Sequence, residues 1–290
     1  MKNEKTFLFL KDHSVSGEQF ELIYNQYEGI LETHPQPQVE ELSKYYESED
    51  YISHTDTKQN LLEQLYHLVR KISLKRKLKL INYYLRRQDQ SFKPTRRLLD
   101  VGCGTGDFLK IAQNDDWRVI GIEPNINARN IANQKTNNIV IEKLEDYKDL
   151  DNKFDVITLW HVFEHIHDLD NQINLLKPLL EDKGTLIIAV PNYKSYDAEY
   201  YKSFWAAYDV PRHLWHFSQN GIKQLLEGFG FVCQKTLPML FDSFYVSLLS
   251  EKYKRGFMNP FMAFWIGLRS NLKAKRSGEY SSLIYVFKKG

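Results

Sequence analysis

Apolar residues change period along this chain, and the change divides it. Near the start, "TFLFL" (6–10) and "FELIY" (20–24) are short β-like pieces in polar, mixed surroundings, followed by a "HPQP" turn at 34–37 and a tyrosine-rich "KYYESEDYISH" at 44–54. Residues 1–57 therefore read as an irregular cap rather than a separate core. From Lys58 to about Gln88, Leu61, Leu65, Leu68, Val69, Ile72, Ile81, Tyr84 and Leu85 recur at roughly helical spacing, which predicts one long helix or two shorter ones in a lead-in of residues 58–95. Beyond it the runs shorten: "RRLLDV" (96–101), "RVIGIE" (118–123), "NIVIE" (138–142), "FDVITLW" (154–160) and "GTLIIAV" (184–190), most of them separated by segments with helical potential. Strands alternating with helices mean a doubly wound α/β sheet, placed in residues 96–290. Between "FVCQKTLPM" and "SSLIYVFKK" the chain inserts about residues 240–279, far more than a hairpin turn needs.

The first of these strands runs into "DVGCGTGDFLKIA". A glycine-rich turn from strand to helix lets the backbone approach a ligand, and the helix start offers N–H groups to an anionic part of it. The dinucleotide fingerprint needs glycine at position 107, where Asp107 stands; the glycines are Gly102, Gly104 and Gly106. That disfavours NAD and FAD, and no Gly-Lys-Ser/Thr follows to make a P-loop. Glu123 ends the second strand 21 positions beyond Gly102, where a carboxylate accepts ribose hydroxyls. Together these features favour an adenosine ligand without a pyrophosphate.

With "LLDVGCGTGDFL", "VIGIEPN", "FDVITLWHVFEHIHD" and "GTLIIAVPN" in this order, the chain resembles the Rossmann-like S-adenosylmethionine-dependent methyltransferases over about residues 96–235, with "SSLIYVFKK" similar to the family's last antiparallel strand. The resemblance implies a seven-stranded sheet with S-adenosylmethionine across the C-terminal ends of the first, second and fourth strands. It assigns the methionine end to Asp100 and the Gly102, Cys103, Gly104 and Gly106 loop, and the ribose to Glu123. Pro124, Leu144 and Glu145 flank the adenine, and Trp160 with His161 closes the fourth-strand side. Similar proteins often begin with a cysteine-ligated zinc ribbon and an extended tyrosine-rich stretch; here no cysteine precedes Cys103, so the lobe is expected as a metal-free, degenerate version. Tyr51 and His54 are candidates to fold over the cofactor.

"HVFEH" (161–165) has the letters of a zinc-peptidase motif. It begins where a strand ends rather than inside a long helix, which sets that reading aside. Related quinone-type O-methyltransferases carry Glu-x-x-Glu-His here, some with a divalent cation; His161 replaces the first Glu, and the expectation is that no metal is held. Glu164 and His165 would then cap and hydrogen-bond the following helix start.

Methyl transfer from a sulfonium mainly needs alignment and exclusion of water. An oxygen or nitrogen acceptor also needs a base near neutral pKa, for which histidine is suited. The stretch "YDVPRHLWHFS" (208–218) resembles a family segment that places His213 and His216 in a loop over the open face, with His165 opposite. His165 and His213 are the candidate catalytic residues. The structural alternative folds the loop through an Asp209–Arg212 pair, and "FWAAYD" before it supplies either pocket walls or core.

Composition adds limits. The chain has 290 residues, 42% hydrophobic and 14% aromatic, with a formal charge of +2 that names no partner. Between Arg70 and Arg97, eleven Lys/Arg face one acid, Asp89; this motivates RNA as an alternative substrate, although no RNA-binding module is recognisable. Two cysteines, no secretory h-region and no run near the ~20 apolar residues of a span point to the cytoplasm. Phe257, Met258, Phe261, Met262, Phe264, Trp265, Ile266 and Leu268 form an apolar block followed by Arg269, Lys273, Lys275 and Arg276. Its fates are core packing, a homodimer contact or a peripheral membrane contact. The favoured function is methyl transfer to a small-molecule or lipid-precursor acceptor; the alternatives are an RNA methyltransferase and a non-catalytic S-adenosylmethionine-binding protein.

Overall fold

Strand β4 (Arg96–Val101) sends Leu98 and Leu99 to opposite faces of a sheet, as the two-residue period of a strand requires, and both faces are covered. In this computed structural model, which describes residues 5–38, 41, 44–45, 61–86, 95–147 and 153–290, the chain builds one seven-stranded and one four-stranded sheet. The large sheet adds β5 (Trp117–Ile122), β6 (Val140–Ile141), β7 (Phe154–Trp160), β8 (Leu180–Pro191), β10 (Phe231–Pro238) and β11 (Ser282–Lys289), in the order β10-β11-β8-β7-β4-β5-β6. Strands β4 to β8 pair in parallel, and β11 runs antiparallel to both of its neighbours. The expected seven-stranded Rossmann-like sheet is present.

One face carries α1 (Leu61–Arg86), α2 (Asp107–Gln113) and α3 (Ile126–Thr136), which bury Ile81, Phe108, Leu109 and Ala132 against Leu98, Val119, Val156 and Ile187. The other carries α4 (Leu169–Leu179) and α6 (Gln219–Gly228), which bury Ile173, Leu176, Ile222 and Leu225 against Leu99, Ile157, Leu186 and Ile188. Among the described residues the lead-in is thus one helix rather than two, and its apolar stripe covers part of one face of the sheet.

The N-terminal lobe is more regular than its mixed polarity suggests. Strands β1 (Thr6–Lys11), β2 (Gln19–Tyr24) and β3 (Ile30–His34) form an antiparallel meander, and β9 (Trp215–Phe217) joins its edge from far along the chain. Leu10, Phe20, Leu22 and Leu31 bury themselves against Tyr193, Trp205 and Tyr208, with α5 (Tyr196–Tyr201) supplying Ala198 and Tyr201. The cap is therefore completed by residues of the later part of the chain. Trp205 is core, its Nε1 donating to the buried Asp197 at 2.8 Å.

Arg212 links lobe and loop. Its Nε donates to Asp209 at 3.0 Å, as the sequence suggested, while its terminal nitrogens reach the Ser14 hydroxyl at 2.8 Å and the Tyr45 carbonyl at 3.3 Å. Arg212→Met strands the Asp209 carboxylate and frees the lobe, and is expected to cost about 3 kcal/mol. A urea-denaturation midpoint within error of the wild type would contradict this.

The insertion is a helical hairpin, α7 (Asp242–Arg255) and α8 (Pro260–Ser277). Asn259 caps the second helix, its side chain accepting from the Met262 N–H at 3.1 Å, with Pro260 following at the first turn. Of the fates open to its apolar block, core packing applies to only part of it: Ile266 is buried, whereas Phe257, Met258, Phe261, Phe264 and Trp265 are exposed. Among the described residues no helix is long and apolar enough to cross a membrane.

Candidate active site

The strand-to-helix turn after β4 is held from both sides. Gly102 and Cys103 donate their N–H groups to the Ile122 carbonyl at 2.8 and 3.0 Å, and Gly104 donates to Glu123 Oε2 at 2.8 Å. The other carboxylate oxygen of Glu123 accepts from the Asn125 N–H at 2.9 Å. Gly102 and Gly104 lie at φ +69° and +54°, backbone that favours glycine. They differ in surroundings. A Cβ on Gly102 would sit 2.3 Å from Val162, whereas one on Gly104 would meet nothing within 4 Å. The loop at Gly104 is an open cradle.

Around that cradle stand the other residues singled out in the sequence. Asp100 is buried at the end of β4 and accepts from the Thr158 hydroxyl at 2.6 Å; burial pushes its carboxyl up to about 7. Trp160 ends β7, buried, with its indole N–H lacking a hydrogen-bond partner among the described residues. Pro124 is exposed beside Glu123, and Leu144, buried, with Glu145, exposed, occupies a short turn after β6. Cys103 is half-buried, and burial raises its thiol so that it stays protonated. An open cradle, two buried carboxylates and an indole N–H without a partner among the described residues fit S-adenosylmethionine. Tyr51 and His54 lie outside the described residues.

Two residues of the site were missed in the sequence. Lys77, part of the basic run on α1, is half-buried with its Nζ 4.5 Å from the centre of the Trp160 ring; desolvation lowers its pKa to about 8 against the pull of Asp100 and Asp242. Asp242, the first residue of α7, meets His161, with Oδ2 3.1 Å from Nε2. The hint for Lys77 was its position one turn from Ile81, on a helix that had to bury one side.

The "HVFEH" segment leaves β7 through His161 at φ +57° and forms a short turn, Phe163–His165. His161 bridges two acids, Asp242 and Glu164, whose Oε1 lies 3.4 Å from its Nδ1. Burial opposes its charge, but the two carboxylates prevail and raise its pKa to about 10. Glu164 is fully buried; burial opposes ionisation, and His161 nevertheless holds its pKa below the usual value.

His165 and His213 come together. Their ring centroids are 4.6 Å apart, and each places Nδ1 2.9 Å from a backbone carbonyl, Arg212 and Ala207 respectively. A carbonyl only accepts, so Nδ1 carries the proton on both rings and Nε2 is the basic nitrogen. Burial holds the His213 pKa well below the usual imidazole value. Ligand atoms of Glu164, His165 and His213 lie within 4.8 Å of one another. His216 does not join them in the way the loop reading placed it. It lies buried on β9 against the Thr33 hydroxyl at 2.9 Å, its pKa pushed down to about 3 by burial.

The Asp100 carboxyl gives a pH dependence. Were Asp100 to face the cationic amino group of the ligand's methionine end, binding would favour the ionised carboxylate, and affinity would be lost as pH falls through about 7. S-adenosylhomocysteine affinity should rise at least about tenfold between pH values of roughly 5.5 and 7.5, and calorimetry giving one constant across that window would contradict the assignment.

A family model described as a methyltransferase domain matches residues 61–236, more than half of the chain. The ubiquinone biosynthesis O-methyltransferase of Rhodopseudomonas palustris (strain BisB5) is 25% identical over 157 residues, covering 50% of this chain and 62% of that protein. The mitochondrial enzyme of the same description from Bos taurus is 29% identical over 164 residues, 51% of this chain and 44% of the relative. The chain thus spans less than two thirds of the length of these relatives. Among solved structures, a magnesium protoporphyrin IX methyltransferase from Synechocystis PCC 6803 with bound S-adenosylhomocysteine has a TM-score of 0.53 at 13% identity, covering 84% of this chain and 97% of that one, and shares the fold. By the matched model, the sheet order and the glycine loop, the chain belongs to the methyltransferase-domain family, the Rossmann-like S-adenosylmethionine-dependent methyltransferases.

Proposed function

We propose that this chain methylates an oxygen or nitrogen of a small-molecule or lipid-precursor acceptor in the cytoplasm. The observation that carries the reading is the Glu164–His165–His213 cluster, buried or half-buried beside the charged His161 and built from the fourth-strand end and the 208–218 loop. When bound, S-adenosylmethionine supplies an electrophilic methyl group on a sulfonium. Asp100, Glu123 and the Gly102–Gly106 loop hold it, Trp160 and His161 close its fourth-strand side, and Pro124, Leu144 and Glu145 flank the adenine. His165 or His213 takes the acceptor's proton at Nε2, and the buried surroundings exclude water. Relatives named for O-methylation favour oxygen.

RNA fits less well. Much of the basic run is engaged within the protein: Arg70 pairs with Asp107, Arg96 with Asp115, Arg97 donates to the Tyr147 hydroxyl at 2.9 Å, and Lys77 stands over the Trp160 ring. We also propose the organisation read from the sequence, with a cap of residues 1–57, a lead-in of 58–95 and a methyltransferase domain of 96–290 carrying the hairpin. Transfer of label from radiolabelled S-adenosylmethionine to cell extract fractionated into lipid, RNA, protein and small molecules tests the function. Label in the RNA fraction alone would reverse the choice, and no label in any fraction would favour a non-catalytic binding protein.

We further propose that no metal is needed. A dication bound by Glu164, His165 and His213 would meet the His161 imidazolium already balancing Glu164 at 3.4 Å. Chelation should leave turnover unchanged. A stoichiometric bound cation whose removal abolishes turnover would install the cluster as a metal site instead.

A further inference from the structure

Helix α8 has two unlike faces. Ala263, Gly267, Ser270 and Ala274 turn inward, small enough for close packing; a Cβ on Gly267 would fall 2.8 Å from the Phe244 ring. Ser270 donates to the buried Asp197 at 2.6 Å and Asn271 to the Ser243 hydroxyl at 2.9 Å, so the hairpin is fixed to the body rather than loosely hung. Outward stand Phe261, 70% exposed, with Phe264, Trp265 and Leu272, each more than half exposed. Their rings adjoin: Trp265 lies 6.4 Å from Phe261 and 6.3 Å from Phe264, which stacks on Phe244. An apolar face held open on an anchored helix marks a contact surface.

Charge selects what covers it. From Lys252 to Gly278 the chain carries seven Lys/Arg and no Asp or Glu. A twofold contact with a second copy would bring two such segments together with no acid in either to neutralise them. RNA would answer the cations but leave aliphatic Met258 and Leu272 in water. The boundary of an anionic bilayer answers both needs, taking rings and aliphatic groups among the acyl chains and basic residues at the headgroups. The same hairpin reaches the active site, because Asp242 at its start holds His161, and exposed Leu240 extends apolar surface to two residues from Asp242.

We propose that the α7–α8 hairpin docks this protein on an anionic lipid surface through Phe261, Phe264 and Trp265, with Lys275 and Arg276 at the headgroups, and turns the active-site mouth toward acceptors carried there. The docking stands on the hairpin alone; the delivery of acceptors rests on the methyltransferase reading.

Cosedimentation of the full chain with vesicles is the test. The wild type should pellet with phosphatidylcholine vesicles containing phosphatidylglycerol and hardly with phosphatidylcholine alone. Partitioning should fall roughly tenfold or more in the double variant Phe261→Ser with Trp265→Ser, and roughly tenfold or more in Lys275→Glu with Arg276→Glu or on raising salt from about 0.1 to about 0.5 M. All four side chains are exposed, so S-adenosylhomocysteine affinity measured in parallel should not move. No wild-type binding, or binding indifferent to the aromatic pair, overturns the proposal. So does a dimer in sedimentation equilibrium that the same aromatic substitutions dissolve, or an RNA gel shift that they abolish without any vesicle binding. Vesicle binding without S-adenosylhomocysteine binding would instead remove the methyltransferase reading and leave docking in place.

Discussion

Gly104→Val should weaken S-adenosylhomocysteine binding by about 100-fold or more, some 2.7 kcal/mol, in a protein that still folds. The choice of position follows from the loop. A side chain on Gly102 would strike Val162 at 2.3 Å and one on Gly106 would strike Ala132 at 2.9 Å, so those variants would disturb the protein itself. At Gly104 a Cβ meets nothing within 4 Å, and the protein bears only the left-handed backbone penalty of roughly 1–2 kcal/mol. The valine then stands in the room the ligand needs. Glu123→Ala should act in the same direction by a different route, removing the acceptor for the Gly104 and Asn125 N–H groups together with the carboxylate proposed for the ribose. Loss of charge-assisted hydrogen bonds of this kind is worth about 1.5–3 kcal/mol each. Calorimetry giving wild-type affinity in a folded Gly104→Val or Glu123→Ala protein would count against the cradle.

The sheet was legible in the sequence because a buried parallel strand is apolar on both faces, and five such runs stand out between polar helices. β6 was the weakest, two residues against the five read as "NIVIE", since only Val140 and Ile141 pair with β5. The N-terminal lobe was not legible in the same way. Its third strand, Ile30–His34, has only two strongly apolar residues, Ile30 and Leu31, and its partner β9 comes from a segment read as loop, so pairing decided by tertiary contact overrode local pattern. The cradle residues could be named from motif order, whereas Lys77 and Asp242 could not. Each lies on a helix whose direction into the site depends on how α1 and α7 pack. The exposed face of α8 was foreseen as a question only, because apolar residues in a block of this density look the same whether they are core or contact surface.

His165, His213 and His216 should separate by function. His165→Asn and His213→Asn each keep a donor toward the carbonyl that now accepts from Nδ1, and each removes the basic Nε2. If one of these rings takes the acceptor's proton, its replacement lowers kcat by about 10² to 10⁴ while S-adenosylhomocysteine affinity holds. The rings are 4.6 Å apart, so the double variant should cost little more than the worse single one, as for groups acting as a unit. His216→Asn provides the contrast: buried on β9 and bonded to Thr33, it should lower stability through the lobe sheet and leave kcat within a few-fold. The pH profile divides the two candidates further. Burial keeps His213 neutral well below neutrality, so its basic form is lost only as pH falls through a pKa far under the ordinary imidazole value. Were His213 the sole base, kcat would stay flat between pH values of roughly 6 and 8, and an inflection of kcat in that window would remove it from that role. Wild-type kcat in both single variants and in the double variant would show that alignment alone carries the reaction, and would remove these histidines from the chemistry.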